Sequence, residues 1–205
     1  MLASVGCQKK AAPENRAGDS SRAATAPAAT PAAPPAPETT PTTAVAVKPT
    51  VGIGQVVSVE KGAGGQAPNF SWKGTDGTVH SLADYRGQVV MLNFWGTWCP
   101  PCRHELPDLV KVRTANASNG FEVIGIAVNE EAQEGMSVEE HLASFAKENK
   151  LEYPIVLAND DLVKAFGEIN AVPTTFVVNR EGKIVNTMVG MKSEAEFVAA
   201  LQGAK

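Results

Sequence analysis

The chain is 205 residues long, and its 22 acidic against 18 basic side chains leave a formal charge of −4. That balance excludes a phosphate-tracking surface, and with it nucleic-acid binding as the main task. Of three cysteines, Cys99 and Cys102 stand as a C-x-x-C pair and Cys7 lies alone, so a multi-disulfide framework is excluded as well.

In chain order, residues 1–7 come first. Small residues precede Cys7, and the stretch resembles the end of a bacterial lipoprotein signal, although only six residues come before the cysteine and no basic region opens it. On this reading residues 1–7 are a truncated signal, and lipid on Cys7 anchors a protein that faces the periplasm or the outside. The alternative is an ordinary cysteine in a disordered tail. No run of 18 or more apolar residues occurs, so the membrane is expected to be reached through Cys7 alone.

Residues 11–50 hold 13 Ala, 8 Pro and 7 Thr, and the chain has no aromatic residue before Phe70. Such a composition cannot form a core, so residues 8–65 are expected to be a disordered linker with a reach of roughly 40 Å. Residues 66–205 are long enough for one domain with a single core.

Within that domain, residues 70–72 and 78–80 flank a glycine-containing turn and predict a β-hairpin. Residues 89–94 and 123–128 are nearly continuous apolar runs, which suit strands covered on both faces and predict the central parallel pair. Between them Leu106, Leu109 and Val110 recur at helical spacing. Pro100 and Pro101 are tolerated only in a first turn, so this helix opens close to Cys99, and Pro107 should kink it. Residues 130–137 form a polar insertion, followed by a helix whose Val138, Leu142 and Phe145 share a face. Residues 154–157 predict a strand, 161–166 a short helix, and 174–178 with 183–189 two strands around a turn. Ser193 caps a final helix that buries Phe197, Val198 and Leu201. The class is α/β, with a mixed sheet flanked by helices.

The chemistry is expected at Trp98, Cys99 and Cys102, where a buried strand turns into a helix. A thiolate is the form that attacks a disulfide, and the unpaired N–H groups and dipole of a helix N-terminus favour negative charge. Cys99 is therefore the attacking sulfur. Cys102, one turn further in, is placed to displace a partner captured on Cys99. A zinc site would need four ligands, and neither a second C-x-x-C nor a suitably spaced histidine pair accompanies this one, so neither metal nor cofactor is expected. His104 reads as an exposed helix histidine.

Residues 93–107, NFWGTWCPPCRHELP, resemble the active-site segment of the TlpA/ResA-like thiol-disulfide oxidoreductases, members of the thioredoxin superfamily. Val172, Pro173, Thr174, Thr175 and Phe176 resemble their cis-proline segment, and the likeness runs from about Ala67 to the end. The resemblance implies a thioredoxin fold carrying an N-terminal β-hairpin and a helical insertion. It implies a cis bond before Pro173, facing the dithiol, with Trp98, Val172, Pro173 and Thr174 around the substrate. It also implies that Glu105 is an acid/base for the proton of Cys102, where Asn93, standing in place of thioredoxin's buried aspartate, cannot be one. The implied partners are disulfide-containing or dithiol proteins outside the cytoplasm and an upstream electron-donor protein, and cytochrome c maturation is among the family's tasks. Reductases of the CcmG type carry an acidic residue just after the cis-proline, where this chain has Thr174.

Two other functions belong to relatives of the same fold. Copper binding of the Sco type uses C-x-x-x-C with a distant histidine, and a peroxiredoxin-like peroxidase needs P-x-x-x-T-x-x-C, which Cys99 lacks.

Overall fold

The computed structural model describes residues 52–204. Cys7, with its expected lipid, and the expected linker as far as residue 51 lie outside the described residues.

The first element departs from expectation. Ile53–Glu60 form strand β1, within what the sequence predicts to be linker, so the folded unit reaches back to at least residue 52 and not merely to residue 66. Val56, Val57 and Val59 supply β-branched residues without an intervening proline, which suits extended chain. Most of the strand is exposed beyond Gly54, so it has no apolar run to betray it. Its stability comes from both edges, antiparallel to β2 (Asn69–Lys73) and parallel to β6 (Ile155–Leu157).

The hairpin forms as predicted, with β3 (Val79–Ser81) antiparallel to β2. β4 (Val89–Trp95) and β5 (Phe121–Ala127) are the central parallel pair, and every residue of both is buried. β7 (Thr174–Val178) runs antiparallel to β4, and β8 (Ile184–Val189) closes that edge. The eight strands make one mixed sheet in the order β3-β2-β1-β6-β5-β4-β7-β8. β1 thus joins the hairpin to the rest, a role its composition does not advertise.

Two apolar layers cover the sheet, which explains why its central strands read as continuous apolar runs. On one face Met91, Trp95, Val123 and Val177 meet α1 (Pro100–Asn116), α2 (Val138–Glu148) and α4 (Glu194–Gln202) through Leu106, Leu109, Leu142 and Phe197. On the other, Leu92, Phe94, Ile124 and Ile126 meet Phe70 and Trp72 of the hairpin and Leu162 of α3 (Asp160–Ala165). α1 continues through Pro107 for 17 residues. Its far end is pinned to β5 by Arg113, whose Nε and Nη2 donate to the buried Glu122 at 2.7 and 3.1 Å.

Trp72 packs across β1 where Gly54 has no side chain, and a Cβ there would stand 3.0 Å from Trp72 Cγ, with another ring atom nearer still. Gly54→Val should therefore overpack this contact and cost about 1–3 kcal/mol. A urea midpoint equal to that of the parent chain would show that β1 is dispensable to the folded unit.

Candidate active site

β4 ends at Trp95, and four residues later Cys99 is the N-cap of α1, in extended conformation, its Sγ accepting a hydrogen bond from the N–H of Cys102 at 3.2 Å. Pro100 and Pro101 occupy the first two helical positions, where no backbone donor is missed. The first turn of α1 carries no acidic residue, so nothing of its own neutralises the positive end of the helix at Cys99. Cys99 and Cys102 are joined by a disulfide, their Cα atoms 5.3 Å apart. Cys102 is wholly buried and Cys99 is 3% exposed.

The other residues expected at the site gather here. Trp98 is 52% exposed beside the dithiol, yet its Nε1 donates to the Val128 carbonyl at 3.1 Å, which ties it to the end of β5. The Val172–Pro173 peptide bond is cis, and the Val172 carbonyl oxygen lies 3.8 Å from Cys99 Sγ. Thr174 Oγ1 donates to the Ala171 carbonyl at 2.8 Å, and Gly190 N–H donates to the Pro173 carbonyl at 2.8 Å, so the segment is bound at both ends. His104 is exposed and outside this cluster.

Glu105 lies one turn beyond Cys102 on α1 and is only 1% exposed. Asn93 Nδ2 of β4 donates to its Oε1 at 2.9 Å, and the backbone N–H of Lys192 donates to its Oε2 at 3.0 Å. Burial pushes the Glu105 carboxyl up to about 7, opposed by the hydrogen bond from Lys192, that from Asn93 and the Lys192 charge. A buried acid with that value exchanges its proton near neutrality, the property required of a proton carrier beside a thiol.

Sequence reasoning missed a second arrangement at the rim. Glu130 accepts from both the N–H and the hydroxyl of Thr97, each at 2.6 Å, and His141 Nε2 of α2 lies 3.1 Å from the same hydroxyl. These contacts hold the turn between β4 and Cys99. They join residues 33 and 44 positions apart, for which the sequence carries no local signal. Lys192 and Thr175 were missed for the same reason. Among the described residues, no group of three or more His, Cys, Asp or Glu side chains could hold a metal ion.

Known proteins resemble the chain in sequence and in fold. The profile of the AhpC/TSA family matches residues 63–187. The thiol-disulfide oxidoreductase ResA of Bacillus subtilis (strain 168) is 36% identical over 132 residues, covering 64% of this chain and 70% of that protein. A crystal structure of a thiol:disulfide interchange protein from Chlorobium tepidum TLS is 36% identical with a TM-score of 0.61, covering 70% of this chain and 98% of that one. The exposed lipoprotein thioredoxin of Streptococcus pneumoniae strain TIGR4 is 26% identical with a TM-score of 0.55, covering 66% of this chain and 98% of that one.

The raised carboxyl makes a prediction about stability. The folded protein holds the Glu105 proton more tightly than the unfolded chain, so that contribution is complete below about pH 4.5 and is lost as pH rises through about 7. It amounts to roughly 3 kcal/mol. Urea unfolding on either side of that window should show Glu105→Gln losing less stability toward high pH than the parent by about this amount. Parallel pH dependences in the two proteins would mean that Glu105 is already ionised throughout.

Proposed function

Since the chain belongs to the AhpC/TSA family, among its ResA-like thiol-disulfide oxidoreductases, we propose that it reduces disulfides of proteins outside the cytoplasm, with the Cys-x-x-Cys pairs of apocytochromes c in its substrate class. The observation that carries this reading is the Cys99–Cys102 pair bridged at the N-terminus of α1, above the buried Glu105.

In the reduced protein, the Cys99 thiolate is stabilised by the Cys102 N–H and the helix end, and attacks one sulfur of a substrate disulfide. One substrate sulfur leaves as a thiolate and the other stays bonded to Cys99. Cys102 gives its proton to Glu105, attacks Cys99 Sγ and releases the second sulfur, which leaves the disulfide bridge between Cys99 and Cys102. Two electrons have passed to the substrate, and a donor protein must return them. Trp98, Val172, Pro173 and Thr174 surround the place where a substrate chain would lie against Cys99, in extended form along the cis-proline segment.

For location, support comes from Cys7 and its small-residue approach, and from the Streptococcus pneumoniae neighbour, described as an exposed lipoprotein. No helix among the described residues is long and apolar enough to cross a membrane. Lipid on Cys7, followed by the Ala/Pro/Thr-rich stretch as tether, would hold the oxidoreductase near a membrane surface.

A second reading, peroxide reduction, is favoured by the AhpC/TSA match. Against it, the positions three and seven before Cys99 are Gly96 and Leu92, not the threonine and proline of the peroxidase motif.

Replacing Cys102 with Ser in the expressing cell should leave substrates trapped on Cys99, and these adducts should vanish on reduction and in Cys99→Ser. In a chain that keeps Cys102, Glu105→Gln should slow resolution of the mixed disulfide on Cys99 by about 10²-fold near neutral pH and flatten its pH dependence. Absence of any adduct, together with rapid peroxide consumption by the parent protein, would replace this function with the second reading.

A further inference from the structure

Asn93 occupies the place from which the proton of Glu105 can be controlled, although it cannot carry a proton itself. Its Nδ2 donates to two acceptors, Glu105 Oε1 and Thr175 Oγ1, both at 2.9 Å. Its Oδ1 is buried and has no hydrogen-bond partner. This orientation suits a Glu105 carboxylate, which only accepts.

Once Glu105 takes up a proton, one carboxyl oxygen becomes a donor and needs an acceptor. Oε2 faces the backbone N–H of Lys192, a donor that cannot be inverted. Oε1 faces a primary amide, which can: a half-turn about the last side-chain bond of Asn93 exchanges its nitrogen and oxygen. Asn93 Oδ1 then accepts from the Glu105 hydroxyl and from the Thr175 hydroxyl, and its two acceptor sites are filled where they were empty. The displaced nitrogen swings to the side now held by the unpartnered Oδ1. That wall has room. Gly125 pairs with Asn93 across β4 and β5, and the space above it is bounded by Trp95 Nε1 and Tyr153 Cε2, which lie 2.9 and 3.1 Å from where a Cβ would stand. Tyr153, whose ring borders that space, has a buried hydroxyl without a partner that is able to accept.

We propose that Asn93 is a positioning residue for the Glu105 proton, its amide nitrogen turned toward Glu105 and Thr175 in the carboxylate state and its amide oxygen turned toward both in the carboxylic acid state. This rests on the reading that Glu105 accepts the proton of Cys102. In that step the Cys102 S–H bond breaks, the proton moves to Oε1, the sulfur keeps the electron pair, and the turned amide holds the new hydroxyl until the proton leaves. The titratable and charged groups facing Glu105 are Cys102 on its own helix, Lys192 before α4 and Tyr153 before β6. Burial holds Tyr153 well above the usual phenol range, so it stays neutral while Glu105 titrates.

The test is difference infrared spectroscopy of the full chain with carbonyl-labelled asparagine, titrated across neutrality. A labelled side-chain carbonyl should move to lower frequency at the same midpoint at which the Glu105 carboxylic acid band grows in. Both changes should be absent from Glu105→Gln, and the asparagine change should be absent from Asn93→Leu. In Asn93→Leu the Glu105 midpoint should rise by about one pH unit, because the charge-assisted hydrogen bond lost by the carboxylate outweighs the neutral one lost by the acid. If that variant does not fold, the labelled parent and Glu105→Gln decide the matter alone. A Glu105 band that titrates while no asparagine carbonyl moves overturns the proposal and leaves the role of Glu105 standing. An exchange rate whose pH dependence is the same in Glu105→Gln and the parent overturns that role itself.

Discussion

Everything at the site depends on one juxtaposition, a sulfur at the N-cap of a helix that begins where a buried strand ends. β4 is sealed on both faces and cannot shift without disturbing both apolar layers, so its end is a fixed point. From there four residues carry the chain to Cys99, and two prolines begin α1 without wasting a backbone donor. The Cys102 N–H, free because it belongs to the first turn, then points at the Cys99 sulfur. Side chains at the rim hold the connecting turn: Glu130 takes both donors of Thr97 and Trp98 is tied to Val128.

Beneath that sulfur pair the protein keeps a carboxyl where water cannot reach it. Burial alone would make such a group costly to ionise, and two donors bring the carboxylate back within reach near neutral pH. The donors differ in kind. The Lys192 N–H is part of the backbone, while Asn93 presents an amide with a donor and an acceptor on one rotatable bond. The buried acid thus stands on the helix and its neutral partner on the strand.

Much of the architecture was legible because its signals are local. Val89 to Trp95 and Phe121 to Ala127 are apolar but for Asn93 and Glu122, close to the continuous run expected of strands covered on both faces. Ser193 stands before the last helix as expected, and its N–H donates to Glu196 three residues on at 2.8 Å. β1 was not legible. Only Ile53 and Gly54 are buried in it, and its partners lie 9 to 18 residues further along the chain on one edge and about a hundred on the other. A strand held chiefly by backbone bonds to distant edges leaves little trace in its own side chains.

By itself the sequence determined the dithiol, the element it opens and the class of reaction, because C-x-x-C between an apolar run and a proline-led helix places a thiol at a helix dipole with few alternatives. The thioredoxin fold of the domain came from the resemblance of residues 93–107 and 172–176 to the TlpA/ResA-like oxidoreductases, and the place of Glu105 one turn beyond Cys102 from helical spacing. Only the tertiary structure decided what that carboxyl can do. Its burial, its two donors and the invertible amide of Asn93 come from β4, β7 and the loop before α4, whose residues are adjacent only once the sheet and helices have packed. A proton's position depends on which groups surround it in space, and neighbours separated by 87 residues of chain, as Glu105 and Lys192 are, meet through packing and not through any local pattern.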